Sequence, residues 1–270
     1  MRFDIITIFP EFFAGIFEHG IIKRAISNAL IQIELHDLRD FTHDRHRTVD
    51  DRPFGGGEGM VFKPDPVVEA IESLVTTPKP QREAACQSVI LLSAQGAKFT
   101  QSTARALAKL DRIVLICGRY EGVDERVSEL ACDRELSIGD YVLSGGELGA
   151  AVIVDATMRL IPGVLGNEDS STFESFGHSD EHCTADREGP PRSTHGSGGI
   201  LDYPHYTRPA EFRGLVVPEV LASGDHANIR RWRRERALEK TLRNRPDLLK
   251  SADLSQEDRA FLARVTPQKP

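Results

Sequence analysis

The chain of 270 residues has one tryptophan, three methionines and four cysteines, and it carries fewer basic than acidic side chains. Cys86, Cys117, Cys132 and Cys183 are far apart and form no CxxC pair, so neither a zinc site nor a dithiol redox centre is encoded. A reducing, cytoplasmic setting is the expectation. No stretch approaches the ~18 consecutive apolar residues of a bilayer span, so no membrane partner is expected. The apolar opening Met1 to Phe13 is broken by Asp4, Pro10 and Glu11, and reads as a first strand and turn rather than a signal peptide. Lysine and arginine total 34 against 41 acids, a formal net charge of -7, which as an average argues against nucleic acid.

What is present is ordinary globular composition, 40% hydrophobic and 28% charged, long enough for one or two domains. Up to about residue 165, apolar runs (Phe3 to Phe9, Ile31 to Leu35, Val89 to Leu92, Ile113 to Cys117) read as buried strands. Between them, Pro66 to Leu74 and Thr100 to Leu110 have helical spacing. This alternation predicts an α/β domain with a mainly parallel sheet.

Composition then shifts. From Gly166 to Ile200 there are seven acids against two bases among many Ser, Gly and Pro residues, so segment 166–200 reads as a flexible acidic linker. In the helical domain 201–270 the pattern inverts. Between His226 and Arg245 stand eight bases and two acids, a local charge of +6, on a helix that Asp225 can cap and Pro246 stops. Ser255 with Asp258 three residues on starts a last helix through Phe261 and Leu262.

Gly55-Gly56-Gly57-Glu58-Gly59 lacks the Lys-Ser/Thr of a P-loop and the GxGxxG spacing. Two readings are open: a loop tip, or close backbone approach to a ligand whose phosphates meet Arg39, Arg45, Arg47 and Arg52. His36, His43 and His46 lie near Asp44, Asp50 and Asp51, but no second ligand cluster matches them, and no metal site is assigned. Ser93-Ala94-Gln95-Gly96, Gly118-Arg119-Tyr120-Glu121-Gly122 and the run Ser137 to Glu147 each follow a strand or lie just beyond one. Three glycine-bearing segments in such places point to a small-molecule pocket.

RDFTHDRHRTVDDRPFGGG (Arg39 to Gly57), CGRYEGVDERV (Cys117 to Val127), SIGDYVLSGGEL (Ser137 to Leu148), RLIPGVLGN (Arg159 to Asn167), YPHYTRP (Tyr203 to Pro209) and SGDHANIRRWRR (Ser223 to Arg234) closely resemble the bacterial tRNA (guanine-N1)-methyltransferase family TrmD. The resemblance implies a SPOUT-class fold in which domain 1–165 carries a deep trefoil knot, an exception to the rule against threaded chains. It implies a homodimer that binds S-adenosyl-L-methionine in the knot and methylates N1 of guanosine 37 beside the tRNA anticodon.

Guanine N1 carries a proton at neutral pH, so a base must remove it as N1 attacks, and charge then grows toward O6, where a cation is stabilising. The resemblance places that cation at Arg159 and the base at Glu174, where well-known members have aspartate; Asp169 is the alternative base. It assigns the methyl donor to Gly118, Ile138, Gly139, Asp140, Tyr141, Val142 and Leu143, with Tyr120, Glu121, Gly145 and Gly146 beside them. Ile138, Val142 and Leu143 also fit a core reading, which for Val142 is the favoured one. For tRNA the expected residues are Arg52, Gly59, His205, Tyr206, Arg208, Arg230 and Arg231, within a cluster that runs on to Arg236. A divalent-ion requirement stays open. Ala94 and Gly149 replace prolines common in the family, and the stretch from Gly177 to Gly199 is longer by about twenty residues than the expected linker, an addition that loop entropy tolerates.

Overall fold

The computed structural model describes residues 1–166, 174–177 and 197–266. Asp169, Cys183 and most of the acidic linker lie outside the described residues. The chain divides into two compact units, Met1–Gly166 and Asn167–Pro270.

The first unit is built on a five-stranded parallel sheet of order β2-β1-β6-β5-β7. Its strands are β1 (Arg2–Thr7), β2 (Gln32–Asp37), β5 (Gln87–Lys98), β6 (Arg112–Cys117) and β7 (Arg134–Ser137). A small antiparallel pair, β3 (Asp50–Asp51) and β4 (Val61–Phe62), stands apart. Ile113 to Cys117 in the central β6 are all buried, as a strand covered on both faces must be. One face packs against α1 (Gly20–Ser27), α3 (Gln101–Leu107) and α5 (Glu147–Met158) through Ile22, Leu107, Ile153 and Val154. The other packs against α2 (Pro64–Leu74) and α4 (Glu125–Ala131) through Val67, Ile71 and Val127.

The four strands and two helices expected from periodicity are present, while β7, α1, α4 and α5 were not anticipated. α5 is apolar around most of its circumference and shows no 3.6-residue stripe. β7 is a short edge strand of sequence RELS, without a strand pattern.

One charged cluster is built into the sheet. Asp4 in β1 has no exposed surface, and it accepts hydrogen bonds from Arg2, from Arg112 of β6 at 2.8 Å and from His36 of β2 at 2.8 Å. Burial by itself would raise its pKa, but His36, Arg2 and Arg112 hold the carboxyl well below the usual carboxylate range.

In the second unit, α7 (His226–Asn244) packs on α8 (Gln256–Val265) around Ile200, Ala237, Leu238 and Phe261. Asp225 caps α7 by accepting from the Ala227 and Asn228 N–H groups, and Ser255 with Asp258 forms a reciprocal capping box on α8. A hairpin of β8 (Glu211–Phe212) and β9 (Leu215–Val216) turns at Arg213 and Gly214, both at positive φ, and is followed by the single-turn helix α6 (Glu219–Ala222).

The described parts of the expected flexible linker are turns bonded to each other. The Phe176 N–H donates to the Ile200 carbonyl at 3.0 Å, the Ser197 hydroxyl donates to the Gly177 carbonyl at 2.7 Å, and Ile200 is fully buried. A low average hydropathy concealed a few apolar residues that are enough to anchor short segments.

Candidate active site

β6, β5 and β7 are neighbours in the parallel sheet, so their carboxyl ends open on the same side. A cleft of about 290 Å³ lies there, lined by the residues that follow β6 and β7 and by the stretch of β5 where its register against β7 shifts. After β6 come Gly118 to Val123; from β5 come Leu92 to Gln95; after β7 come Ile138, Gly139 and the run Tyr141 to Gly146. All three glycine-bearing segments therefore meet, and the ends of parallel strands are where open α/β sheets hold ligands.

Close backbone approach shapes one wall. The Gly146 N–H donates to the Gly118 carbonyl at 2.9 Å, and Arg119 and Gly145 form an antiparallel bridge. A Cβ on Gly146 would lie 2.8 Å from the Cys117 Cα and 3.2 Å from the Gly118 nitrogen, so no other residue fits without moving the wall.

A buried brace stands behind this contact. Glu147, 1% exposed at the start of α5, accepts from the Thr7 hydroxyl at 2.8 Å and from Arg119 Nε at 3.0 Å. The Arg119 guanidinium also lies over the Phe9 ring, 4.4 Å from its centroid. The brace therefore ties β1, the loop after β6 and the head of α5 together. Sequence patterns missed it, because Thr7 and Glu147 are 140 residues apart.

Ten of the residues assigned to the methyl donor line the cleft: Gly118, Tyr120, Glu121, Ile138, Gly139, Tyr141, Val142, Leu143, Gly145 and Gly146. Asp140 does not; its carboxylate pairs with Lys98 at 2.8 Å on the exposed surface. Val142 is 87% exposed, which overturns its core reading. Gly149 also borders the cleft, and a Cβ there would make ordinary contacts at 3.6 and 3.8 Å with Leu92 and Ile138, so nothing local demands glycine.

Burial pushes the Cys117 thiol well above its ordinary value, with the Glu147 charge adding to the effect, and burial pushes Cys132 up to about 12. Neither is poised as a thiolate nucleophile.

The glycine loop 55–59 reaches the edge of this site only at its end, through Gly59 and Met60, while Gly55 and Gly56 face open space. The Glu121 N–H donates to the Met60 carbonyl at 3.0 Å, and Gly59, at φ +85°, backs onto the Glu121 side chain, 2.6 Å from where its Cβ would lie. Arg45 and Arg52 stay exposed. Arg39 instead donates to the Ile8 carbonyl, and Arg47 pairs with Asp40. The histidines separate: His36 binds Asp4, and His43 meets Glu69 at 2.8 Å. Asp4, Glu34 and His36 are the one group with metal-ligand spacing among the described residues, and Arg2 and Arg112 already occupy Asp4.

Arg159 directly follows α5 and is half-buried. In the second unit Glu174 is half-buried in a turn closed by the Gly177 N–H donating to its carbonyl at 3.0 Å. His205, Tyr206, Arg208, Arg230 and Arg231 are exposed. Arg234 leaves the expected basic surface: it forks onto Asp258 at 2.8 and 3.0 Å and donates to the Ser197 and Asp253 carbonyls. Arg236 pairs with Glu239 at 2.9 Å.

Comparison with known proteins agrees with this architecture. Residues 1–251 match the family described as tRNA (Guanine-1)-methyltransferase TrmD. A tRNA (guanine-N(1)-)-methyltransferase of Koribacter versatilis is 61% identical over 269 residues, covering 100% of both chains. Relatives of the same name from Dehalococcoides mccartyi and Dictyoglomus turgidum are 48% and 50% identical, over 100% and 98% of this chain and 98% and 96% of their own. The matched length and identity, together with the cleft at the strand ends, establish that the chain belongs to the tRNA (guanine-N1)-methyltransferase family TrmD.

Proposed function

We propose that this chain transfers the methyl group of S-adenosyl-L-methionine to N1 of guanosine 37 in tRNA. The observation that carries the reading is the cleft, formed by three backbone segments at adjacent strand ends, in a chain whose relatives are named for guanine-N1 methylation. The cleft suits the donor. Leu92, Ile138 and Leu143 offer apolar walls for a flat purine, glycine backbone offers N–H and C=O groups, and the carboxylates of Glu121 and Glu125 face a ligand that carries positive charge. When bound, the donor supplies an activated methyl group on a sulfonium, so no covalent enzyme intermediate is needed.

The protein contributes a base, a cation and alignment. Glu174 takes the N1 proton as N1 attacks, and Arg159 stabilises charge building on O6. Asp169 is the alternative base. Arg52, Gly59, His205, Tyr206, Arg208, Arg230 and Arg231 position the tRNA. On this reading the first unit is of the SPOUT class and knotted, and the enzyme is a homodimer. Leu148 and Val152, 49% and 45% exposed one turn apart on α5, support a second copy docking there beside the exposed Phe9 and Phe12. No helix of the described residues is long and apolar enough to cross a membrane.

Incubation with methyl-labelled S-adenosyl-L-methionine and a tRNA bearing G36-G37 should label N1 of G37, and an A37 tRNA should stay unlabelled. A folded protein that labels neither, or labels another nucleotide, overturns the assignment.

A further inference from the structure

Trp232 is the only tryptophan in the chain, and it does not belong to a core. The side of α7 that packs inward is marked by Ala237, Leu238 and Thr241, all buried. Trp232 is absent from that apolar cluster. Instead it is half-buried in a shallow groove of about 560 Å³ between α6 and the first turns of α7. A large ring kept at a groove wall rather than in the nearby core has a surface face to offer.

Its surroundings have the makeup of a single-stranded RNA surface. The Tyr206 ring, 49% exposed, lies 6.3 Å from the Trp232 ring. Arg230, Arg231 and Arg233 flank Trp232 in sequence and are all exposed. Aromatic faces interleaved with guanidinium groups are how proteins hold unstacked nucleotides: rings stack on bases while cations meet phosphates.

The groove also carries Glu219, Asp225 and Glu235 beside Arg231. Asp225 is engaged in capping α7, and Glu235 lies 3.8 Å from Arg231 and 3.9 Å from Arg236. Carboxylates repel phosphate and accept from amino groups, so the groove suits a base edge, while the phosphates belong with the arginines outside it.

We propose that this groove is a nucleobase subsite, in which one unstacked base of the bound tRNA stacks on Trp232. The proposal rests on the reading that tRNA is the substrate.

Because Trp232 is the sole tryptophan, its fluorescence reports on the site in the unaltered protein. Titration of the full-length protein with tRNA should quench the emission and shield it from acrylamide, with the midpoint found by binding of end-labelled tRNA. Trp232→Phe should keep tRNA affinity within about twofold, whereas Trp232→Ala should weaken it about 5- to 150-fold. The salt dependence of Trp232→Ala should be unchanged, since no phosphate contact is lost. The helical circular dichroism and the thermal unfolding of Trp232→Ala should equal those of the parent and serve as the check on folding of the tail unit. If labelled tRNA binds while emission and acrylamide access stay unchanged, the subsite is overturned and the tRNA reading survives. If labelled tRNA does not bind at all, both fall.

Discussion

In the α/β unit the cleft wall is backbone, with glycines at 118, 145 and 146 in contact and a buried Thr7–Glu147–Arg119 brace behind them. In the tail unit the candidate ligand surface is side chain, with exposed arginines and Trp232 standing on a helix whose other side is core, and Tyr206 brought to Trp232 from a separate segment. A backbone wall is set to a few tenths of an ångström and tolerates almost no substitution at its closest points. The charges of a side-chain surface tolerate single losses, because each acts nearly independently through solvent. The same chemistry of recognition, placed on backbone or on side chains, therefore gives opposite sensitivities to mutation.

The largest effect should come from the proposed base. Glu174→Gln should lower turnover about 10²- to 10⁴-fold with methyl-donor affinity nearly unchanged, while Asp169→Asn should retain activity; single-turnover rates and calorimetric titration separate the two quantities. The reverse pattern would move the base to Asp169.

Next comes the backbone wall. Gly146→Val should lower the rate of methyl transfer by roughly 100-fold, because displacing a positioning loop by an ångström costs that much in rate. In the tail, Gly214→Ala sits at φ +81° with nothing within 4 Å of the new Cβ, and should cost only about 1 kcal/mol of stability, read from chemical denaturation. Equal tolerance at both positions would break the contrast between the units.

The Asp4 cluster separates packing from binding. Asp4→Asn should destabilise the protein by about 2 kcal/mol at pH 7, less than for a fully buried pair because Arg2 and Arg112 reach solvent. The folded carboxyl titrates below its unfolded value of roughly 3.9, so its contribution is fully present above that pH and is lost as pH falls from there through the lower folded value. The gap in urea midpoint between variant and parent should therefore narrow below about pH 4, and a pH-independent gap would mean that its charge contributes nothing.

The smallest effect is expected at single tail arginines. Arg230→Ala should weaken tRNA binding uniformly across tRNA sequences and reduce the salt slope by about one, as for the loss of one phosphate contact. An unchanged slope would remove Arg230 from the contact set.

Legibility followed the same division. The net charge of -7 argued against nucleic acid, yet α7 is basic, so the average misled where the local count did not. The local count in turn overstated the surface, because Arg234 spends its guanidinium on Asp258 inside the unit. The three glycine-bearing segments were visible in the sequence, but their meeting depended on the order β6-β5-β7, which no single segment encodes. α5 went unrecognised because a helix that is apolar on most sides has no stripe, and β7 because an edge strand of four residues has no period.

The sequence by itself determined the family, the parallel-sheet class and the local signals: caps at Asp225 and Ser255, apolar strands, and glycines where backbone must approach closely. These are short-range properties, set by side-chain chemistry within a few residues. Only the tertiary structure decided which segments share the cleft, that Glu147 reaches Thr7 and Arg119, that Asp140 turns out to solvent, and that Trp232 stays out of the core. Those outcomes depend on strand order and helix packing, where residues far apart in the chain compete for the same space.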